Sequence, residues 1–193
     1  VILPQFDMAW DFIDGLAQVK VSGKFGFINK SGTLVIPAQY DEAAPFAGGL
    51  AKVKMNGKYG YIDKTGTFVI PAQFDNANSY SEGLARVRID GKVGFIDKAG
   101  KLAISAQFSD GGNFAEGVAV VGSPGKYRFI DKAGAFAIPA QYLTARRFSE
   151  GLAMVCVHFT KNQYAFIDKT GKIVLPARSD YYAGDFSEGL AKV

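Results

Sequence analysis

The eleven residues GKYGYIDKTGT, at positions 57–67, return four more times along the chain in close paraphrase. A second marker, Gly-Leu-Ala or Gly-Val-Ala, begins at five evenly spaced positions: Gly15, Gly49, Gly83, Gly117 and Gly151. A sixth marker begins at Gly189. A fixed period of about 34 residues predicts a tandem-repeat protein.

The residues inside each repeat favour strands over helices. A period of this length also suits paired helices, but each repeat carries several glycines, and four of the five complete repeats carry a proline (Pro37, Pro71, Pro139 and Pro176, with Ser105 as the exception). Short runs rich in aromatic and β-branched residues, such as LAKVKM, YGYID and TFVIPAQF, lie between these breaks. The sequence therefore predicts an all-β fold.

Residues 49–82 illustrate one repeat, with strands predicted at about 50–55, 58–63 and 67–74. Asn56-Gly57 predicts a type I′ hairpin turn, because both central residues of that turn need positive φ. The Asp-Lys-Xaa-Gly sequence at 63–66 predicts a type I turn closed by a left-handed glycine. A loop is predicted through FDNANSYSE, so each repeat is an antiparallel three-strand meander.

A meander of this size is marginally stable alone, so we expect the repeats to stack. Gly26, Gly60 and Gly94 sit between large side chains and predict close backbone approaches. A recurrent aromatic is expected to fill the space between repeats: Phe12, Phe46, Tyr80, Phe114, Phe148 and Phe186. We predict an open β-solenoid, with a closed β-propeller as the alternative.

One array is predicted to occupy residues 1–193. Its predicted parts are a partial repeat at 1–14, complete repeats at 15–48, 49–82, 83–116, 117–150 and 151–188, and a partial repeat at 189–193.

The repeat unit resembles the bacterial WG-repeat family, whose unit runs from a GLAxV segment through a WG dipeptide and F/Y-I-D-K-x-G to V-I-P and F-S-E. The tryptophan of that dipeptide is replaced here by Phe25, Tyr59, Val93, Tyr127 and Tyr164, and its glycine is replaced at Arg128 and Ala165. The resemblance implies a surface-associated or extracytoplasmic binding array without catalytic residues. The resemblance is a stronger guide to the fold of this chain than to its biological function.

Composition narrows the class of protein. An apolar fraction of 48%, with 21% charged residues, is typical of a globular chain, and no apolar run is long enough for a transmembrane helix. The net charge of +4 is spread over the repeats and does not form a basic domain, so nucleic-acid binding is not expected. The start lacks a basic n-region, so any export signal is expected to lie outside this sequence.

We expect no enzyme, cofactor or metal site. The single cysteine, Cys156, and the single histidine, His158, lie two residues apart on a predicted strand, but no matching acid is recognisable. The column Asp63, Asp97, Asp131 and Asp168, with Asn29, has two interpretations: a row of calcium ligands, or side chains that cap their own turns. Capping is favoured, because Asp and Asn commonly bond their own turn backbone.

Alternation along the first strand of each repeat predicts a candidate binding face. Its basic part consists of Lys20, Lys52, Lys54, Arg86 and Arg88. In the later repeats the same face of the strand becomes an apolar candidate partner face, Val118, Val120, Leu152 and Met154. The other interpretation is that the cations are ordinary solvent-facing residues that discourage edge pairing.

The sequence thus favours a non-enzymatic scaffold for protein–protein interaction or structural assembly, through a protein partner or self-association. A carbohydrate or cell-wall polymer binding module is the alternative, with an anionic polymer or a cell-wall glycan as ligand. Its weakness is the single tryptophan, Trp10, which lies outside the repeated motif. Location is left open, with the cell surface favoured.

Overall fold

A computed structural model describes residues 5–158, 163–178, 186–187 and 190–191. All regular structure in these residues is β-strand, which confirms the all-β prediction and the tandem antiparallel repeats. The chain divides into two compact units, residues 1–91 with 96–101, and residues 92–95 with 102–193. The predicted repeat boundaries and the single array stay predictions. In the described part of the chain, no helix has the length and hydropathy needed to cross a membrane.

The first unit contains two four-stranded antiparallel sheets, and a pair of strands, β9 and β10, follows them. The first sheet has the order β1 (Met8–Ile13), β2 (Leu16–Val21), β3 (Lys24–Ile28) and β4 (Leu34–Tyr40). The second has the order β5 (Glu42–Ala43), β6 (Ala51–Met55), β7 (Lys58–Ile62) and β8 (Phe68–Phe74). Strand β9 (Asn76–Ala77) pairs with β10 (Ala85–Ile89).

The second unit continues the pattern with β11 (Lys92–Ile96), whose last residue belongs to the first unit, and β12 (Leu102–Phe108). A three-stranded sheet follows, with β13 (Asp110–Gly111), β14 (Val118–Ser123) and β15 (Lys126–Asp131). The next sheet has four strands: β16 (Thr144–Ala145), β17 (Ala153–His158), β18 (Gln163–Ile167) and β19 (Ile173–Arg178). Strands β20 (Phe186–Ser187) and β21 (Leu190–Ala191) pair with each other.

Both predicted turns are confirmed. Asn56 and Gly57 have φ of 52° and 79°, as the type I′ hairpin between β6 and β7 requires. In the next turn, the Gly66 N–H donates to the Asp63 carbonyl at 3.0 Å, and Gly66 is left-handed with φ of 86°. Local sequence therefore sets the alternation of strand and turn.

The segment predicted as a loop, FDNANSYSE, contains structure that the sequence analysis missed. Its Asn76 and Ala77 form β9, which pairs with Arg88 and Val87 of the next repeat. A second two-residue hairpin follows, in which Glu82 and Gly83 both have positive φ and Ser81 bridges to Leu84. The sheets built on β6, β10, β14 and β17 therefore each take one short strand from the segment before their Gly-Leu-Ala or Gly-Val-Ala marker. The Glu-Gly dipeptide was the sequence signal for the second hairpin.

The core lies between the faces of successive sheets. In the first unit, Phe27, Ile36 and Tyr40 of the first sheet pack against Ala51 and Val53 of the second. Four of the recurrent aromatics pair at 5.0 Å with an aromatic of their own repeat: Phe27–Phe46, Tyr61–Tyr80, Phe95–Phe114 and Phe129–Phe148. The expected packing between repeats is seen for Phe46, which shares a core cluster with Ala51 and Val53, and for Phe148, which shares one with Ala153 and Val155.

Phe12 differs from these aromatics. It lies on β1, an edge strand of the first sheet, and is 40% exposed. The side chain of Phe186 lies outside the described side chains.

The predicted close approaches at the strand glycines are confirmed. A Cβ at Gly60 would lie 2.6 Å from the Ile70 carbonyl oxygen and 2.7 Å from the Ala72 nitrogen. Gly26 and Gly94 meet the following strand in the same way. Here β8 bulges, since the step from Tyr61 to Tyr59 opposes the longer step from Ile70 to Phe74.

Lysines of the Asp-Lys-Xaa-Gly turns tie repeats together. The Lys64 ammonium donates to the Asp14 carbonyl at 2.8 Å and lies 3.0 Å from the Asp14 carboxylate. Lys98 makes the matching bond to the Gly48 carbonyl. In the second unit, Lys169 pairs with Glu116 at 3.2 Å. Each of these three lysines therefore links its own turn to the hairpin at the start of an earlier repeat.

Candidate functional site

The structure brings two of the predicted basic residues together on the second sheet. The ammonium groups of Lys52 and Lys54 each lie 5.1 Å from the centroid of the Tyr59 ring. The Glu42 carboxylate accepts from Lys54 Nζ at 2.9 Å and from the Tyr59 hydroxyl at 2.7 Å. Strands β5, β6 and β7 supply these four residues. Much of the basic charge is therefore engaged within its own sheet.

This cluster shifts the proton affinities of its members. The Tyr59 hydroxyl, and then Lys54, hold the pKa of Glu42 below its ordinary value. The hydrogen bond to Glu42 raises the pKa of Lys54. Burial lowers the pKa of Lys52, because desolvation disfavours its charged form.

The remaining predicted cations also lie against their own sheets. Lys20 lies 5.2 Å from the Phe25 ring centroid. Arg86 donates to the Asn78 side-chain oxygen at 3.2 Å, and Arg88 donates to the Gly91 carbonyl at 2.6 Å. A binding role for this face stays a prediction.

The candidate apolar face is largely covered in the structure. Val120 and Met154 are buried, at 7% and 5% exposed. Val118 packs against the core cluster that contains Val120, and Leu152 is half-buried. The partner-binding role stays a prediction, and the accessible surface is smaller than strand alternation indicates.

Exposed apolar residues lie instead on β1 and on the last strand of the first, second, third and fifth repeats, which sequence reasoning did not select. The last strands β4, β8, β12 and β19 are sheet edges, and their exposed members are Leu34, Val35, Val69, Leu102, Ile173, Val174 and Leu175. Phe136, 55% exposed, lies at the matching place in the fourth repeat and forms an isolated bridge. The signal was the apolar run before the Pro in LVIP, FVIP and IVLP, in which Ile36 and Ile70 are buried while Val35 and Val69 are exposed. Its periodicity resembled a core strand, and only the sheet order shows that the strand is an edge.

The turn aspartates cap their own turns. Asp63 Oδ1 accepts from the Thr65 N–H at 2.8 Å and from the Thr67 N–H at 3.1 Å, and Asp168 repeats the pattern. Hydrogen bonds from the Thr65 and Thr170 side chains are the main cause that lowers the pKa of these two carboxyls. The capping interpretation is therefore confirmed.

Of the candidate catalytic pair, Cys156 is a buried free thiol opposite Tyr164, and the His158 side chain lies outside the described side chains.

A cavity of about 310 Å³ opens in the second unit beside the fourth repeat. Asp110, Val120, Tyr127, Thr144 and Arg147 contribute to its lining. The Tyr127 hydroxyl donates to Asp110 Oδ2 at 3.0 Å, and the Gly111 N–H donates to Oδ1 at 2.8 Å. This volume lies at the small end of the range for ligand pockets.

The fold and these sheets define a β-repeat protein, in which successive repeats share their packing as well as their sequence. The family model for the WG containing repeat matches residues 1–25, 25–59, 59–92, 94–127, 127–158 and 164–193. The chain belongs to this family. None of the curated proteins matches it.

Several solved structures are similar in fold. A structure described as the eukaryotic initiation factor has a TM-score of 0.56 at 14% identity, covering 88% of this chain and 53% of its own. Hsv2 of Kluyveromyces lactis has a TM-score of 0.52 at 10% identity, covering 83% of this chain, which spans 59% of its length. A KlHsv2 variant with a replaced loop has a TM-score of 0.54 at 9% identity, covering 83% of this chain and 61% of its own.

Hsv2 has a β-propeller-like fold. A closed β-propeller is the alternative to the open β-solenoid in the sequence analysis. At these identities the likeness concerns the fold alone.

Proposed function

We propose that this chain is a non-enzymatic WG-repeat scaffold that binds a protein partner through the exposed apolar side chains of its edge strands. The supporting observation is the recurrence of that surface in successive repeats, for example at Val69, 43% exposed, and Leu102, 42% exposed. Contiguous exposed apolar patches are typical of interaction surfaces.

Prolines limit how a partner can bind. Pro37 and Pro71 lie within the edge strands β4 and β8 and have no N–H to donate. A partner strand added to these edges would lose ladder hydrogen bonds, so side-chain packing carries the proposed contact. A second copy of this chain and a different protein are both partners of this chemistry. A location at the cell surface belongs to the same proposal and rests on the family resemblance.

Site-specific photo-crosslinking in the native host tests the proposal. A benzophenone amino acid is placed at Val69 or Leu102, with the exposed turn residue Thr65 as the matched control. Discrete protein adducts from the two edge-strand positions, and not from the control, are expected. An adduct of doubled mass identifies self-association. Absence of protein adducts at both edge-strand positions would overturn the proposal.

One observation favours the glycan alternative. Trp10 is 43% exposed, and its ring lies 5.7 Å from that of Phe25. Exposed aromatic faces are the usual platform for sugars, so the alternative predicts that Trp10→Ala abolishes retention on cell-wall polysaccharide. Equal retention of both proteins, or retention of neither, would reject it.

A further inference from the structure

The second repeat shows how this sheet architecture holds an ammonium group. Lys54 Nζ lies 2.9 Å from the Glu42 carboxylate and 5.1 Å from the Tyr59 ring centroid. Lys52 places a second ammonium at the same distance from that ring. A carboxylate and an aromatic face thus surround a cation, and the tyrosine hydroxyl fixes the carboxylate by donating to it.

The fourth repeat keeps the receptor half of this cluster and lacks the cations. Asp110 and Tyr127 stand two repeat periods after Glu42 and Tyr59, and the hydrogen bond from tyrosine to carboxylate recurs at 3.0 Å. At the positions of Lys52 and Lys54 the fourth repeat has Val120 and Gly122. No side chain of this strand therefore carries a charge to the Asp110 carboxylate.

The space that the lysines would occupy is open. The cavity of about 310 Å³ is lined by Asp110, Val120 and Tyr127 together with backbone at Gly111 and Gly112. Tyr59 is buried in its sheet, whereas Tyr127 is half-buried. A volume equal to about ten water molecules in the liquid is enough for a short alkyl chain with a charged head.

We propose that this cavity binds the alkylammonium group of a ligand between the Asp110 carboxylate and the Tyr127 ring. A carboxylate offers about four acceptor positions, and Asp110 uses one for Tyr127 and one for the Gly111 N–H. An ammonium group supplies three hydrogen-bond donors, and its positive charge can make a cation–π interaction with the face of the Tyr127 ring. The Val120 side chain, which also lines the cavity, makes the apolar contact with the alkyl chain of the ligand. This site goes beyond the proposed scaffold function and does not use the edge-strand surface.

The charges of the lining restrict the class of ligand. Arg147 also lines the cavity, but its side chain is exposed, so solvent weakens its repulsion of a bound cation. Asp110 is the single carboxylate of the lining, which favours a ligand with one ammonium group over a polyamine. The group has two sources, a free amine or the lysine side chain of a peptide.

The experiment is NMR titration of the whole chain with two probes, n-butylammonium and Nα-acetyl-lysine N-methylamide. Their neutral controls are n-butanol and Nα-acetyl-norleucine N-methylamide. Saturable amide shifts at Asp110, Gly111 and Tyr127 with either cationic probe are expected, and no such shifts with the neutral ones. Binding of both probes indicates an accessible ammonium site. Binding of one identifies the source. Binding of neither overturns the proposal.

Variants locate the bound group. Asp110→Asn should weaken binding about tenfold or more, because it removes a charge-assisted hydrogen bond. Glu42→Gln makes the matching change in the second repeat and should leave the affinity unchanged. Val120→Lys should place the chain's own ammonium in the cavity and abolish binding.

If Val120→Lys does not fold, Asp110→Asn decides alone. Equal affinity of Asp110→Asn and the original chain would overturn the proposal. Photo-crosslinking at the edge strands is independent of this result.

Discussion

The second and fourth repeats share their period and their Asp-Lys-Xaa-Gly turn, and one of the strand positions at which they differ is that of Gly60. Gly60 of the second repeat lies against the backbone of β8, and the pairs Tyr59–Phe74, Tyr61–Ile70 and Ile62–Phe68 join the two strands. In the fourth repeat the same position is Arg128, and only isolated bridges remain, Tyr127–Tyr142 and Ile130–Phe136. The two bridges at the ends of this strand pair are kept, whereas the residues between Phe136 and Tyr142 form no regular strand.

The fifth repeat is intermediate. Ala165 replaces the glycine, and β18 and β19 still pair. The bulge is shorter, because the step from Phe166 to Tyr164 opposes Leu175 to Arg178, one residue fewer than Ile70 to Phe74. Across the three repeats, the pairing of the third strand becomes less regular as the side chain at this position grows from Gly60 through Ala165 to Arg128.

The largest effect is expected from Gly60→Arg, which gives the second repeat the residue of the fourth. The new side chain would push β8 away and disturb the packing of Ile70 and Phe74, so we expect a loss of about 3 kcal/mol of unfolding free energy. Denaturant unfolding measures the loss, and hydrogen exchange should show faster exchange at 68–74. Unchanged protection there would contradict the steric explanation.

The reverse change, Arg128→Gly, should restore regular pairing in the fourth repeat. Slower hydrogen exchange at residues 136–142 is the expected result. The change in unfolding free energy should be smaller, about 1 kcal/mol or less in either direction. New ladder bonds oppose the entropy cost of glycine and the loss of the Arg128 contact, 4.5 Å from the Phe136 ring centroid. Exchange rates equal to those of the original chain would contradict the steric role of Arg128.

The cluster of Glu42, Lys54 and Tyr59 in the second repeat should lose stability in acid. The pKa of Glu42 is lowered in the folded chain, so its stabilisation is complete above the ordinary value of 4.5 and is lost as the pH falls through the lower folded value. Glu42→Gln should therefore reduce stability at pH 7 by about 1 kcal/mol and flatten the decline between pH 5 and 3. Thermal unfolding over this pH range measures it. Parallel curves for the two proteins would contradict the assignment to Glu42.

The smallest effect is expected at the lysines that tie the repeats. Lys64→Met removes an exposed interaction with Asp14 and should cost about 0.5 kcal/mol, a loss that 1 M salt should largely remove. Lys169→Met, in the second unit, removes the interaction with Glu116 and should behave alike. A much larger loss, about 2 kcal/mol and independent of salt, would show that the bond to the Asp14 carbonyl matters more than the ion pair.

The edge-strand surface shows why a candidate site was only partly predictable. An apolar pair such as Leu34 and Val35 predicts burial when it is considered alone, yet β4 is an edge and both residues are exposed. Lys52 and Val120 occupy matching positions, and alternation predicted a solvent face for both. Burial of Val120 depends on the next sheet, which packs against it through Ala153 and Val155. No pattern within one repeat contains that information.

Sequence alone determined the features that depend on neighbours along the chain. The repeat period, the three long strands, the Asn-Gly hairpin and the aspartate-capped turn all follow from the order of residues within one repeat. Turn geometry and strand preference are local, so short motifs can encode them. The demand for glycine at Gly60 could also be anticipated, because glycine between large residues indicates a close backbone approach.

Tertiary structure alone decided which segments meet. The pairing of β9 with the next repeat, the packing of one sheet face on another and the cavity beside Tyr127 depend on contacts between separate repeats. Such contacts depend on the sizes and charges of side chains far apart in the chain, so replacing two lysines by Val120 and Gly122 changes a filled cluster into a cavity. The carboxylate–tyrosine pair is present in both repeats, and the side chains packed around it distinguish them.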